Sequence, residues 1–556
     1  MEDKRLEKRK EFLNPVKDGR VKREKYMVEL RKKRKQDMFR AKRRIRVSTG
    51  EESPHMKVDD DGTIEKVGKL AEYIQDYAEI LQTICPILFE KEADLSDKLK
   101  EVKKLLGMDC HDRKTYIALC SYLRHLSSKD PDKYAVFIIR EELYPQIMKI
   151  ASAHHVLDLM LEITWILTNL SSCEDKNITE YLCGEEFGLI KYCHAMVGQE
   201  DLKIVEHAIW ILNNLMAGDD APFEQIFGTG SGLFEAIEKL CDRSQIPLCM
   251  LRVMAWSISN MAKCKTRSSE FIVALIEICG TTLFCQDTKT QVDSCYCLKH
   301  LTDIEEEDKE QEADKLKSIC ESGIIPKLSS FLELGHPCFT IALRTLGNLS
   351  AVDCLNTQKQ ILSEGFFCKA AELYCLPTIY PITVKELFWI SSNLISGSEQ
   401  FACEFYSSAL FSIVYKYIKE NPMSDVMREA YWCMNNFVEK IDSATRMELI
   451  QHKEYHIIPL FIHILKEAIA FGPNVEHILM SIDFLLRTCK HFHDEDEHHP
   501  LFQFQDHGGI ELLDSLSSSI NVTVFTLSQR LLKTYYPNND EYDGKNTQIS
   551  RDDLEF

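Results

Sequence analysis

The sequence predicts an all-α solenoid of about ten repeats, on three observations: helical periodicity almost throughout, a short signature recurring at a near-constant period, and a length of 556 residues. That length exceeds what one hydrophobic core usually supports, so several domains or a repeat array is required. Between residues 65 and 537 apolar residues recur at three- and four-residue spacing with few β-rich runs, which is the pattern of packed helices.

The signature is an aromatic residue or Arg, three residues, then Asn, at the end of an apolar helix. It occurs in EITWILTNLSS, HAIWILNNLMAGD, VMAWSISNMAK, ALRTLGNLSA, ELFWISSNLISG and EAYWCMNNFVEK, with a degenerate copy in SCYCLKHLTD. First positions fall at 165, 210, 256, 296, 344, 389 and 432, giving steps of 45, 46, 40, 48, 45 and 43 residues. Such periods belong to armadillo and HEAT arrays, in which each unit of two or three helices buries its apolar face only against its neighbours. LCSYLRHLSS (119–128) reads as the end of a first repeat, ILMSIDFLLRTCKH (478–491) as a ninth, and 500–537 as a final unit. Glycine in SGIIPKLSSFL and HGGIELLDSL lets the chain reverse between helices. GTGSG (228–232) lacks the spacing of a nucleotide loop and reads as an inter-repeat turn.

Charge divides the chain. Residues 1–46 hold 20 Lys/Arg against 8 Asp/Glu, a local +12, which leaves −32 on residues 47–556 given a net charge of −20. A basic arm on an acidic body implies two partners, or one part binding the other, and argues against a nucleic-acid-binding protein. Residues 47–64 read as a flexible linker and 538–556 as a disordered acidic tail. The charged N-terminus lacks the apolar core of a secretory signal, and no apolar run is long enough to suggest a membrane span. The 21 cysteines form no C-x-x-C pair, and several sit in apolar helical stretches, as do Cys120, Cys193, Cys249 and Cys433. They read as buried free thiols of a cytosolic or nuclear protein.

Residues at i and i+4 share a helix face, so Trp165/Asn169, Trp210/Asn214, Trp256/Asn260, Trp389/Asn393 and Trp432/Asn436 each project together. All five tryptophans of the chain lie in this register, which packing alone does not require. Asn offers a donor and an acceptor and can pair with both backbone groups of an extended peptide. Neighbouring indoles form slots for Lys or Arg stems, with a cation–π contribution of about 0.5–2 kcal/mol each. Glu162, Glu206, Glu386 and Glu429 precede a signature Trp by one helical turn, Asp293 precedes Tyr296, and Asp219 follows the signature of the third repeat. The ligand this chemistry calls for is an extended Lys/Arg-rich peptide.

With these motifs the chain resembles the importin-α family, armadillo-repeat nuclear import adaptors with an N-terminal importin-β-binding segment. The order of variants matches: Trp in repeats two to four, a deviant fifth, Arg344 in the sixth, Trp again in the seventh and eighth. The resemblance implies a larger site for nuclear localisation signals at Trp165, Asn169, Ser172, Glu206, Trp210, Asn214, Asp219, Trp256 and Asn260. A smaller site is implied at Arg344, Asn348, Glu386, Trp389, Asn393, Glu429, Trp432 and Asn436. The chain departs from the family in Tyr296, in one extra residue before Asp219, and in the acidic insert IEEEDKEQEAD (304–314), which reads as a solvated loop.

The arm, RKEFLNPVKDGR followed by KREKYMVELRKKRKQDMFRAKRRIRV, resembles the family's importin-β-binding domain, with its core at Arg31, Lys32, Lys33, Arg34 and Lys35. By the same resemblance Lys42, Arg43 and Arg44 mimic cargo and inhibit the chain's own groove, a tethered ligand having high effective concentration. The implied partners are signal-bearing cargo, importin-β and through it the nuclear pore, and an export receptor with Ran-GTP gripping about 440–537. No direct nucleic-acid or membrane partner is implied, and shuttling between cytoplasm and nucleus is expected. HFHDEDEHH (491–499) lacks metal-ligand spacing, no catalytic motif is present, and neither cofactor nor enzymatic activity is expected. The competing reading is a β-catenin-like scaffold, which uses a basic groove for acidic ligands and fits the acidic body poorly.

Overall fold

The computed structural model describes residues 64, 72–108, 112–173, 175–184, 188–216, 226, 237, 246–264, 269–303, 309–422, 424–471, 475–493, 496 and 498–537. The arm, the acidic tail, the GTGSG segment, Asp219 and all of the linker except Ile64 lie outside the described residues. Among those described, every element is helical. The chain divides into two compact units, Met1–Cys264 and Lys265–Phe556.

In the first unit the signature helices Arg113–Ser127, Leu157–Leu170, Leu202–Met216 and Leu248–Met261 pack one against the next. In the second unit the corresponding series is Thr288–Thr302, Phe339–Ser350, Pro381–Gly397, Asp425–Lys440, Val475–Leu486 and Val522–Tyr535, again in sequence order. Two further helices precede each where the repeat is complete, as Pro131–Arg140 and Leu143–Ala153 precede Leu157–Leu170. The fold is the armadillo-repeat solenoid anticipated from the period, each repeat burying its apolar stripe against its neighbours.

Local chemistry fixes the helix starts. Asp112, Asp130, Asp175 and Asp287 accept from backbone N–H groups of their own first turns, as do Ser398, Ser424, Asp442 and Asn521. The middle helix of several repeats begins after a left-handed residue: Gly188, Gly323, Gly365 and Gly508 have φ of 63°, 69°, 73° and 81°. Glycine adopts that conformation without the Cβ penalty, which is why it recurs at this reversal. Glu142 (φ 54°) takes the same role in the second repeat without being glycine.

The acidic insert is only partly a loop. Its second half belongs to the helix Lys309–Glu321, because KEQEADKLKSICE consists mostly of good helix formers and anchors Leu316 and Ile319 in the core. Many cysteines are buried free thiols, Cys120, Cys193 and Cys433 among them, but Cys249 is half-buried and Cys368 and Cys375 are exposed. No described helix is long and apolar enough to cross a membrane.

Candidate peptide-binding groove

Each rung of the expected ladder sits at the C-terminal end of a signature helix, where Trp and Asn one turn apart share a face. In the first unit Trp165 and Trp256 are half-buried, while Trp210 is only 1% exposed and meets Trp256 edge-to-face, the rings 6.4 Å apart. In the second unit Trp389 and Trp432 are half-buried. Ser172 and Glu206 are half-buried on the first unit's ladder helices and the turn that follows them.

The asparagines do more than wait for a ligand. Asn169 donates from Nδ2 to Ser127 Oγ at 3.0 Å, and Asn214 to Ser171 Oγ at 2.9 Å. In the second unit Asn348 donates to Thr302 Oγ1 at 3.3 Å and Asn393 to Ser350 Oγ at 3.1 Å. Each hydroxyl lies two residues beyond the rung position of the preceding repeat. Asn436 meets Ile395 at that place and donates instead to the Ser392 carbonyl at 2.8 Å. Packing therefore does use Asn here, as an inter-repeat tie that sequence reasoning missed. The Ser or Thr two residues past the rung was the signal that could have revealed it.

Two atoms on adjacent rungs remain open. Asn214 Oδ1 and Asn260 Nδ2 are buried without a hydrogen-bond partner. Their orientation is set by chemistry: Asn214 Nδ2 faces the Thr168 carbonyl at 3.3 Å, and the Lys263 ammonium donates to Asn260 Oδ1 at 3.0 Å. An unsatisfied buried polar group costs about 1–3 kcal/mol, so the pair is stored demand for one acceptor and one donor.

The acids divide into two classes. Arg124 donates from Nε to Glu162 at 2.5 Å and lies 4.7 Å over the Trp165 ring, whose centroid is also 5.1 Å from that of His207. Arg344 forks onto both oxygens of Glu386 at 2.5 and 2.7 Å and lies 5.1 Å over Trp389. Both are guanidinium–carboxylate pairs stacked on an indole, the arrangement expected of a ligand arginine. Glu429 belongs to the other class: its nearest cations, Lys385 and Arg428, pair with Asp425. Burial raises the Glu429 carboxyl above its usual range, with Lys385 and Arg428 pulling it down and Glu386 and Asp425 pushing it up. Glu162 is raised by burial as well, against the pull of Arg124.

Gly347 sets the position of Trp389. A Cβ there would stand 2.2 Å from Trp389 Cζ3, so the indole rests directly on the preceding signature helix. Farther along, buried Asp483 gathers Arg487 at 2.6 Å, Arg530 at 2.8 Å and Tyr535 Oη at 2.7 Å, tying the last signature helix to the one before it. The expected smaller-site residues are thus brought onto successive packed helices, as are the larger-site residues other than Asp219. No cluster of three or more His, Cys, Asp or Glu able to hold a metal occurs among the described residues, the described part of 491–499 included.

No family model matches the chain. Curated relatives are importin subunits alpha. Importin subunit alpha-1a of Oryza sativa subsp. japonica is 22% identical over 385 residues, covering 69% of this chain and 64% of that protein. Importin subunit alpha-9 of Arabidopsis thaliana is 21% identical over 420 residues, 72% of each, and importin subunit alpha-2 of Caenorhabditis elegans is 28% identical over 243 residues, 42% of this chain and 41% of that one. The chain spans 51% to 64% of the first curated relatives it matches. Among solved structures, an engineered protein aligns with TM-score 0.59 at 17% identity, over 78% of this chain and 98% of its own. A structure described as a phosphorylation switch controlling the interaction between cadherin and β-catenin aligns with TM-score 0.59 at 14% identity, over 82% and 89%. Those likenesses carry the fold: the chain is an armadillo-repeat solenoid, and the curated proteins it is similar to are importin subunits alpha.

Proposed function

We propose that the chain is a nuclear import adaptor that holds Lys/Arg-rich localisation signals along its signature helices and acts without catalysis. The observation that carries the reading is the open acceptor of Asn214 beside the open donor of Asn260, which together match the N–H and C=O of an extended peptide. The half-buried indoles of Trp165, Trp256, Trp389 and Trp432 and Glu429, whose neighbouring cations pair with Asp425, supply slots and counter-charge for basic side chains. Kinship with importin subunits alpha supports the same ligand class. In this reading Arg31, Lys32, Lys33, Arg34 and Lys35 of the arm bind importin-β, while Lys42, Arg43 and Arg44 occupy the empty groove until cargo and carrier displace them. Asp219 caps a ligand lysine, and repeats near 440–537 meet an export receptor with Ran-GTP. The adaptor shuttles between cytoplasm and nucleus.

The test is fluorescence anisotropy of a labelled lysine-rich peptide against the full chain and residues 65–556. Tight binding by the shorter form and clearly weaker binding by the full chain is the expected result. Equal binding removes the inhibition by the arm and leaves the groove. Absence of binding to both at moderate salt ends the adaptor reading.

A further inference from the structure

The rungs of the first unit are chemically unequal. Asn169 and Asn214 tie their amide nitrogens to Ser127 and Ser171, hydroxyls 42 and 43 residues earlier and two residues past the preceding rung position. The same register places Met216, 44 residues before Asn260, where the next hydroxyl would stand. Met216 is fully buried and its thioether is a weak acceptor at best. The alternative acceptor fails too. Asn169 and Asn214 also reach the carbonyl one residue before the preceding rung, Arg124 O at 3.4 Å and Thr168 O at 3.3 Å, whereas Asn260 Nδ2 bonds to nothing. Asn260 is 1% exposed, and Lys263 holds its Oδ1 at 3.0 Å, so the orphaned edge of the amide is the donor edge.

We infer that Met216 is a positioning residue: by withholding a hydroxyl from Asn260 it reserves that amide for a ligand backbone carbonyl and makes Asn260 the dominant peptide-binding rung of the first unit. The inference rests on the basic-peptide reading and adds to it an order among the rungs. Asn169 and Asn214 must exchange an existing inter-repeat bond to donate to a peptide. Asn260 gives up nothing, and its donor is satisfied for the first time when the peptide arrives. An unpaired buried donor gains more from a new partner than a paired one does.

Two substitutions at one position separate this role from packing. Met216→Ala and Met216→Ser remove the same bulk, but only Ser supplies an acceptor. In the full chain, Met216→Ser is expected to melt at a higher temperature than Met216→Ala and to bind a labelled Lys/Arg-rich peptide about fivefold more weakly than Met216→Ala. Equal affinity of the two variants, or tighter binding by Ser, overturns the inference while leaving the basic-peptide reading intact. Failure of the unsubstituted chain to bind the peptide overturns both. If neither Met216 variant folds, Ser171→Ala decides: stripping Asn214 of its hydroxyl partner is expected to lower the melting temperature yet tighten peptide binding about twofold. Unchanged or weakened binding by that variant counts against the inference.

Discussion

Glu162 and Glu386 each precede a signature tryptophan by three residues and each meets an arginine from the neighbouring signature helix. Sequence spacing assigned both acids to a ligand because it cannot show which cation arrives first. Glu429 occupies the same place before Trp432 without such an arginine, and burial raises its carboxyl from the usual 4.5. The sign follows. A ligand cation favours the carboxylate, so peptide affinity at the second unit falls as the pH drops through the raised value, in a window that opens above 4.5. Folding responds in the opposite sense: the folded chain takes this proton more readily than the unfolded one, so the stability cost of ionised Glu429 is relieved on acidification. Titrating peptide binding from neutral pH downward with the unsubstituted chain and Glu429→Gln checks this. The substituted chain is expected to lose that part of the pH dependence, and superimposable profiles would refute it.

Among elements, the join between Phe339–Ser350 and Pro381–Gly397 is tightly specified. With Trp389 Cζ3 2.2 Å from any Cβ at position 347, Gly347→Ala must push the indole off its seat. Overpacking of this kind typically costs about 1–3 kcal/mol. The expected outcome is a lower denaturation midpoint, altered tryptophan fluorescence and weaker peptide binding at the second unit; native-like values for all three would contradict the packing described. The signature helices were legible because the Trp and Asn of each stand at a repeated offset. Helix limits were legible in part: the glycines before Ile324 and Gly509 mark real reversals, but Lys309–Glu321 was hidden because its acidic surface reads like a loop and only two apolar anchors, Leu316 and Ile319, one turn apart, interrupt it. The rung ties were hidden for another reason. The partners of each tie stand 42 to 46 residues apart, so the Ser or Thr two residues past a rung acquires meaning only once the repeats are aligned and their helices stacked.

For the whole molecule, the −32 borne by residues 47–556 makes association with basic peptides long-ranged. Raising ionic strength from about 0.01 M to about 0.15 M shortens the screening length from about 30 Å to about 8 Å, so stopped-flow association rates are expected to fall severalfold while dissociation changes little. A salt-independent association rate would remove the field of the body from the account. The charge split, the repeat period and the fold were all readable before any coordinate, since each is a sum over many residues and tolerates local error. The inequality of the rungs depends on single side chains, Ser127, Ser171 and Met216, and only packed helices reveal it. The tie from rung to hydroxyl also governs how mutational scans of this protein must be interpreted. Replacing Asn169, Asn214, Asn348 or Asn393 with alanine deletes a brace between repeats along with any ligand contact, so a loss of binding there is confounded by loosening of the scaffold. Asn260 carries no tie to the preceding repeat, so alanine at that position removes only a bond to Lys263 of its own repeat and confounds recognition less.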